Sequence, residues 1–408
     1  MASKALAPEQ YYRLPWNMAD NAITWLEPTT QCNMACEGCY REKGEHRPLS
    51  DVIAELESIK KLRKTGGISI AGGEPLLYPH LLDLVRYVAA QGWKPIIITN
   101  GTLLRPDLIK DLKAAGLMGF TVHVDSHQNR PGWTGKGEAE LNELRSQLAH
   151  MIHEAGEGQI SCAFNATIYR DSLRDIPILT RWAQENNDIV QTMVYILFRS
   201  AKSRGGFDSY VNGAPVDPSL LVYQLDHQEN HQDVMAQEVV DQIRQVLPDY
   251  EPCAFLNGTE DPRAFKWLLG LAMGRKGNIL GYLDSKFAEF IQVGHHLFFG
   301  TYLAYTRPCV VRNMQSILPL ALFNRSLRRI MWHWLKNPFE MLKSLYIQSF
   351  MIIQPVDVFV DGRISMCDGC PDSMFYKGRK VRKSRVDELQ KFGGFMQCVP
   401  RNKAAESD

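Results

Sequence analysis

Between Ile23 and Phe198 the chain alternates short β-rich runs with helical patterns, and this alternation restricts the possible folds more than any other feature. Strands are expected near Ile23–Leu26, Gly67–Ala71, Lys94–Thr99, Gly119–Asp125, Ile160–Ile168 and Ile189–Phe198. Helices are expected between them, near Ser50–Arg63, Pro79–Gln91, Pro106–Ala115, Glu138–Glu154 and Leu173–Asn187. Ser50 or Asp51 can cap the first of these helices, and Pro106 suits a first helical turn. Strands separated by helices imply βα units with a parallel sheet. Six such repeats in roughly 175 residues fall short of the eight that close a barrel of about 250 residues. The expected fold class is therefore α/β, a partial (β/α)6 TIM-like barrel.

After Ser200 the texture changes, which divides the chain into an extension (1–22), the partial barrel (23–200) and a C-terminal region (201–408). Lys202 to Pro218, with its glycines and prolines, reads as a loop, and Gln224 to Val246 as a polar amphipathic helix. Residues 264–350 are rich in Trp, Phe, Leu, His and Arg and read as mainly helical. Asp357–Val360 and Arg363–Met366 flank Asp361-Gly362, the signature of a short hairpin.

Composition narrows function. Of the 408 residues 45% are apolar and 22% charged, as in a globular protein with a large core. Lys plus Arg (46) against Asp plus Glu (45) leaves a net charge of +1, so no global field favours nucleic acid. Met1–Tyr12 lacks the basic and apolar pattern of a secretory signal, and no apolar run approaches the roughly 20 residues of a spanning helix. Nine cysteines, three of them crowded together, point to metal in a reducing cytoplasm rather than to disulfides.

The crowded cysteines lie in Thr30-Gln31-Cys32-Asn33-Met34-Ala35-Cys36-Glu37-Gly38-Cys39-Tyr40, directly after the first expected strand. Three thiolates on one loop can hold a cubane cluster and leave one iron open to an outside ligand. A zinc site is the competing reading; it wants a fourth protein ligand, for which His46 is the nearby candidate. Two further segments follow strands. Gly72-Gly73-Glu74-Pro75 begins 33 residues beyond Cys39, its glycines permitting close backbone approach to a charged ligand and its carboxylate able to accept from an ammonium. Thr99-Asn100-Gly101 ends the third strand, where barrel enzymes place function. Asp125, Ser126 and Asn165 fall at the ends of, or within, strands four and five, and His123 alternates with Asp125.

The C-x3-C-x2-C spacing, the aromatic Tyr40 and the Gly72–Pro75 and Thr99–Gly101 segments, in that order, resemble the radical S-adenosylmethionine (SAM) superfamily over about Ile23 to Phe198. The resemblance implies a 4Fe–4S cluster on Cys32, Cys36 and Cys39, with the fourth iron taking the amino and carboxylate groups of SAM. It implies that Gly72, Gly73, Glu74 and Pro75 lie against the SAM amino group. Thr99 and Asn100 would lie near its ribose or methionine part, Asp125 or Ser126 near ribose or carboxylate, and Asn165 would be an inward amide. Members cleave SAM reductively to a 5′-deoxyadenosyl radical that abstracts a substrate hydrogen. The implied partners are SAM and an electron donor such as flavodoxin or ferredoxin.

Cys367-Asp368-Gly369-Cys370 follows the expected hairpin as half of a zinc or iron–sulfur site. With Cys309, and either Cys253 or Cys398, it could hold an auxiliary iron–sulfur cluster, while Cys162 reads as a buried thiol. Many radical SAM enzymes of bulky substrates carry such an extension, though the seven-cysteine spacing of one large subgroup is absent. His295 and His296 sit among aromatics and invite a functional reading. The Lys377–Arg385 run reads as a solvated stretch. The aromatic C-terminal region suggests a large, partly hydrophobic, lipid-like substrate and leaves room for peripheral membrane contact through Arg325, Arg328 and Arg329. Peptide maturation and methyl transfer are the other chemistries, and a metal scaffold without turnover is the non-enzymatic one.

Overall fold

The computed structural model describes the chain except residues 1–3, 38, 40–41, 199–206, 222–233, 259–264, 309–320, 322–323, 337–338, 340–343, 356, 359–363 and 401–408. After β1 (Tyr12–Arg13), strands and helices alternate: β2 (Ile23–Thr29), α1 (Leu49–Leu62), β3 (Gly67–Gly72), α2 (Leu81–Ala90), β4 (Lys94–Thr99) and α3 (Pro106–Ala114). Then come β5 (Gly119–His123), α4 (Glu138–Ala155), β6 (Ser161–Ile168), α5 (Ile176–Glu185) and β7 (Thr192–Leu197). β2 to β7 are parallel and stand in chain order, each beside its predecessor. This is the α/β arrangement expected of a partial barrel, and all six strands fall where the sequence placed them.

One capping expectation fails. α1 starts after Pro48, with no side-chain cap; Ser50 lies inside the helix and its hydroxyl reaches Asp51 instead. Pro106 does open α3.

Alternating side chains divide between two environments. Phe120 and Val122 of β5, and Phe164 and Ala166 of β6, join the main core against helices that contribute Leu56, Leu84 and Leu148. His123, Asn165 and Thr167 therefore face the opposite side, the barrel interior.

The C-terminal region corrects the sequence reading most. The loop expected at Lys202–Pro218 contains, in its described part, a hairpin of β8 (Phe207–Val211) and β9 (Ala214–Pro215), turned by Asn212 and Gly213 at φ 50° and 81°. Of Gln224–Val246, α6 (Ala236–Arg244) is helical, and 224–233 lie outside the described residues. The described residues of 264–350 are not mainly helical. They follow β10 (Ala254–Asn257) and hold β11 (Phe265–Arg275), β12 (Asn278–Leu283), α7 (Ser285–Phe299), α8 (Arg325–Lys336) and β13 (Tyr346–Ile353).

β13 pairs parallel with β7, Ser349 opposite Thr192, and β11 pairs antiparallel with β13. The sheet thus crosses residue 200 and runs β1-β10-β11-β13-β7-β6-β5-β4-β3-β2, with β12 on β11. β1 and β2 stand at its two ends.

The expected hairpin forms from β14 (Asp357–Val358) and β15 (Ile364–Ser365), its Asp361-Gly362 turn lying outside the described residues. β16 (Ser373–Tyr376) and β17 (Arg379–Arg382) make another, with Lys377 and Gly378 at positive φ. The Lys377–Arg385 run is therefore structured: Arg382 Nε donates to Cys367 O, and Lys383 stands 3.8 Å over the Trp25 ring. α9 (Val386–Phe392) and β18 (Gln397–Pro400), which pairs with β8, are the last described elements.

Candidate functional site

The three-cysteine loop leaves β2 at its carboxyl end, and backbone bonds pin its stem. Thr30 N donates to Glu45 O at 3.1 Å and Arg47 N to Pro28 O at 2.9 Å. His46 stands at that stem, its Nδ1 2.8 Å from Thr29 Oγ1.

Each later motif then meets the loop at a different point. Gly73 N donates to Thr29 O at 2.9 Å and Glu74 N to Gln31 O at 2.7 Å. Both glycines are required there. A Cβ on Gly73 would come within 2.1 Å of Gln31 O, and Gly72 holds φ at 111° with Thr29 O 2.3 Å from where its Cβ would be.

Glu74 is buried, and its carboxylate joins the second motif to the third. Oε1 accepts from Thr99 Oγ1 at 2.6 Å and from Leu76 N at 3.0 Å, while Oε2 accepts from Asn100 N at 2.7 Å. Burial pushes this carboxyl up, against the lowering effect of those donors. Pro75 follows as the start of a short 3-10 turn. Asn100 reaches the cysteine loop directly, Nδ2 donating to Asn33 Oδ1 at 2.8 Å, and Asn33 Nδ2 donates in turn to Thr102 Oγ1.

The fourth contact comes from beyond β5. Glu37 N donates to His127 O at 3.0 Å. The His127 ring lies 2.9 Å from Glu37 Oε2 and 3.3 Å from Asp171 Oδ1, stacked on Tyr169 at 3.9 Å. Tyr169 Oη donates to Glu37 O at 2.8 Å. Asp125 is buried and accepts from Thr167 N at 3.1 Å and His127 N at 3.0 Å, with His123 Nε2 at 2.7 Å. Burial alone would raise its carboxyl, but the His123 ring and the two amides overcome this and hold it below the ordinary range. Ser126 contributes its backbone amide to Glu138 Oε1 at 2.8 Å.

Among the described residues, the buried Asn165 Oδ1 and Arg130 Nε find no hydrogen-bond partner. Arg130 lies in none of the sequence motifs. Its Nη2 donates to His123 O at 2.8 Å and to Gln128 Oε1 at 2.9 Å. Burial lowers its guanidinium, and the charges of Cys36, Asp125 and Glu74 oppose that. Arg130 and His127 escaped the sequence reading because neither carries a motif and only the fold brings them to the loop, while Asn33, inside the loop, gains its role from the contact with Asn100.

By donor type, three thiols on one loop are what iron and sulfide require. Cys32, Cys36 and Cys39 act electrostatically on one another. Burial, then the charges of Asp125, Cys39 and Cys32, pushes the Cys36 thiol up to about 12, so its ionisation calls for a bound cation. The orphaned donor of Arg130 and acceptor of Asn165 offer a polar ligand somewhere to bond. Among the described residues, no three His, Cys, Asp or Glu side chains form a group that could hold a metal ion. Tyr40 lies outside the described residues.

The second cysteine group is elsewhere. Cys367 and Cys370 are hydrogen-bonded and buried in a cluster that also contains Cys253. Their turn sits at the amino ends of the strands: Asn21 Nδ2 donates to Gly369 O at 3.0 Å, and Arg63 Nη2 donates to both Ile23 O and Cys370 O. Tyr305 fills the same end of the barrel, its Oη 3.1 Å from Ser69 Oγ and its carbonyl accepting from Lys94 Nζ. Cys398 belongs to a separate cluster around Val211 and Met396, and Cys309 lies outside the described residues. Cys162 is buried in β6. His295 Nδ1 lies 2.6 Å from Thr301 O and His296 Nε2 lies 2.8 Å from Asp20 Oδ2.

A mostly parallel sheet with a thiol-bearing loop and polar motifs at its carboxyl edge defines an α/β barrel-type protein built to hold a cofactor there. Residues 26–156 match the Radical SAM superfamily, so the chain carries a radical SAM domain, and proteins of that superfamily use a 4Fe–4S cluster and SAM. An AdoMet-dependent heme synthase of Methanosarcina barkeri is 30% identical over 133 residues, which are 30% of this chain and 38% of that protein. GTP 3′,8-cyclase 1 of Mycobacterium tuberculosis is 29% identical over 42% of this chain and 50% of its own length. The SAM-bound structure of Streptococcus suis SuiB aligns over 43% of this chain and 41% of its own at 20% identity, with a TM-score of 0.35. The chain spans about half or less of the length of these relatives.

Proposed function

We propose that the chain is a SAM-dependent radical enzyme in which Cys32, Cys36 and Cys39 hold a 4Fe–4S cluster and Gly72, Gly73, Thr99, Asn100, Asp125, Arg130 and Asn165 surround SAM. When bound, cluster and SAM supply a 5′-deoxyadenosyl radical able to take hydrogen from an unreactive C–H bond. The chain's own part is placement and charge. Gly72 and Gly73 admit a ligand to the backbone, Arg130 offsets the negative charge of thiolates and carboxylates, and Asn165 offers an inward acceptor.

One observation carries this reading: three sequence segments far apart in the chain bond to one cysteine loop, at Gln31, Asn33 and Glu37. A structural metal knuckle has no use for such a cradle. The relatives, named for heme synthesis, GTP cyclisation and nucleotide dehydration, differ in substrate, so what supports a shared chemistry is the common domain.

For substrate we propose a large, partly apolar molecule, covered by the aromatic-rich C-terminal region (201–408) beside the catalytic unit at 23–200. An auxiliary iron–sulfur site on Cys367 and Cys370, with Cys309 and Cys253, and an electron donor of the flavodoxin or ferredoxin type complete the proposal. Clustering of Cys253 with the pair favours it over Cys398.

The test is anaerobic reconstitution with iron and sulfide, iron counting, and an assay for 5′-deoxyadenosine after reduction. The triple substitution Cys32→Ala, Cys36→Ala, Cys39→Ala should remove one cubane and all SAM cleavage. Retained cleavage would defeat the reading.

A further inference from the structure

α7 and α8 share one apolar cluster with Met273 of β11 and Leu283 of β12, α7 giving Phe287 and Ile291 and α8 giving Leu327, Met331 and Trp334. That packing uses one face of each helix. Elsewhere on them, Leu297, Phe298 and Phe299 are 77%, 86% and 72% exposed. Trp332 and Leu335, with Phe339 just beyond α8, are 66%, 69% and 83% exposed, against 2% for Trp334 on the packed side. Side chains of this size left in water mark an interaction surface.

The arrangement says which kind. Leu297, Phe298 and Phe299 are consecutive, so they leave the helix at steps of about 100° and point around its end rather than along one stripe. A groove in a protein partner takes a stripe spaced i, i+3, i+4, i+7. A fluid hydrocarbon phase takes all three at once. α7 closes at Gly300, in the left-handed conformation, whose N–H reaches His296 O at 2.8 Å.

Charge narrows the surface further. α8 carries exposed Arg325, Arg329 and Lys336 and has no acidic residue from Arg325 to Lys336. Cations beside large apolar side chains on one helix match an interface where phosphates lie above acyl chains. Among the described residues no helix is long and apolar enough to cross a membrane, so contact would be with the surface.

We propose that α7 and α8 form a docking surface for an anionic bilayer. The carboxyl end of α7 and the Trp332, Leu335 and Phe339 side chains enter the interface, and the cations of α8 meet lipid phosphates. This stands apart from the chemistry at the cysteine loop, since none of these residues touches that loop's motifs.

Vesicle flotation of the full chain tests it, comparing pure phosphatidylcholine with an equimolar phosphatidylcholine–phosphatidylglycerol mixture at low and high salt. The protein should float with the anionic vesicles, and high salt should release most of it. Arg325→Glu with Arg329→Glu should cut partitioning about tenfold or more. Phe298→Ser with Phe299→Ser should abolish it at every salt concentration, with circular dichroism and iron content unchanged. Should the aromatic variant misfold, Trp332→Ser alone, at an exposed position, should still weaken flotation.

Failure of the native chain to float on anionic vesicles at low salt would overturn the proposal, as would flotation indifferent to these substitutions. So would sedimentation showing that the same side chains join two copies of the chain. Loss of SAM cleavage by the cysteine variants leaves flotation unchanged, so the two readings fail separately.

Discussion

Arg130 reaches the site from the loop after β5 with Nη2 spent on His123 O and Gln128 Oε1, and with Nε buried and without a partner among the described residues. A buried donor on a cation is costly to leave unmade, and SAM brings a carboxylate that could take it. Arg130→Ala should therefore weaken SAM binding to the reconstituted protein by about 10- to 100-fold, the range of one charge-assisted hydrogen bond. Equilibrium dialysis measures it, with iron content as the control. Equal affinity with lowered thermal stability would make Arg130 a brace for β5 and nothing more. His127 offers a pH test. Burial would lower its imidazole, but Glu37 and Asp171 more than reverse this and hold it above the usual range. A histidine raised on folding stabilises fully below its unfolded value near 6.5, and the contribution fades as pH climbs through the folded value. The melting-temperature gap between native protein and His127→Gln should thus be widest near pH 6 and shrink in alkaline buffer. The effect should stay within about 1 kcal/mol, because both carboxylates are more than a third exposed. A gap that widens with pH would reverse the assignment.

The turn after β3 shows what an element must do before a motif can work. Gly73 lies so close to Gln31 O that Gly73→Ala must push the two loops apart, at a cost of about 1–3 kcal/mol. Reconstituted iron should fall with the melting temperature, since the displaced backbone carries Cys32. Alanine at Gly132, whose Cβ would meet nothing within 4 Å, separates glycine strain from steric conflict. Elements of this kind were legible in the sequence. Lys94–Thr99 reads as a strand because three isoleucines lie between a lysine and a polar turn, and the structure agrees to the residue. β11 was not legible. It is buried along nearly its whole length, so no two-residue alternation survives, and its Trp, Leu, Ala and Met pass as well for a buried helix. The same blindness hid the packing of Tyr305, an aromatic in a loop, against the amino ends of the strands. The motif residues were legible by order and spacing, whereas His127, Arg130 and the part played by Asn33 needed the third dimension.

At the scale of the whole molecule, the two cysteine groups stand at opposite ends of one strand. The three-thiol loop follows Thr29, the carboxyl end of β2, and the Cys367–Cys370 turn is tied by Asn21 and Arg63 to its amino end at Ile23. Seven extended residues at about 3.3 Å each put roughly 20 Å between those ends. Trp267 and Tyr305 pack in the apolar cluster that holds Cys367 and Cys370, away from the three-thiol loop. A group at the amino end therefore cannot share a ligand with the radical site, and loss of one should not dismantle the other. Cys367→Ala with Cys370→Ala should lower iron per chain by one cluster's worth while 5′-deoxyadenosine production without substrate continues. Turnover of substrate should suffer only if electrons or structure pass through that end. Unchanged iron would mean that the pair is a buried dithiol braced by Arg63 and Arg382. Loss of SAM cleavage along with the iron, in a variant that melts as the native chain does, would show the two ends of the barrel to be coupled despite the distance between them.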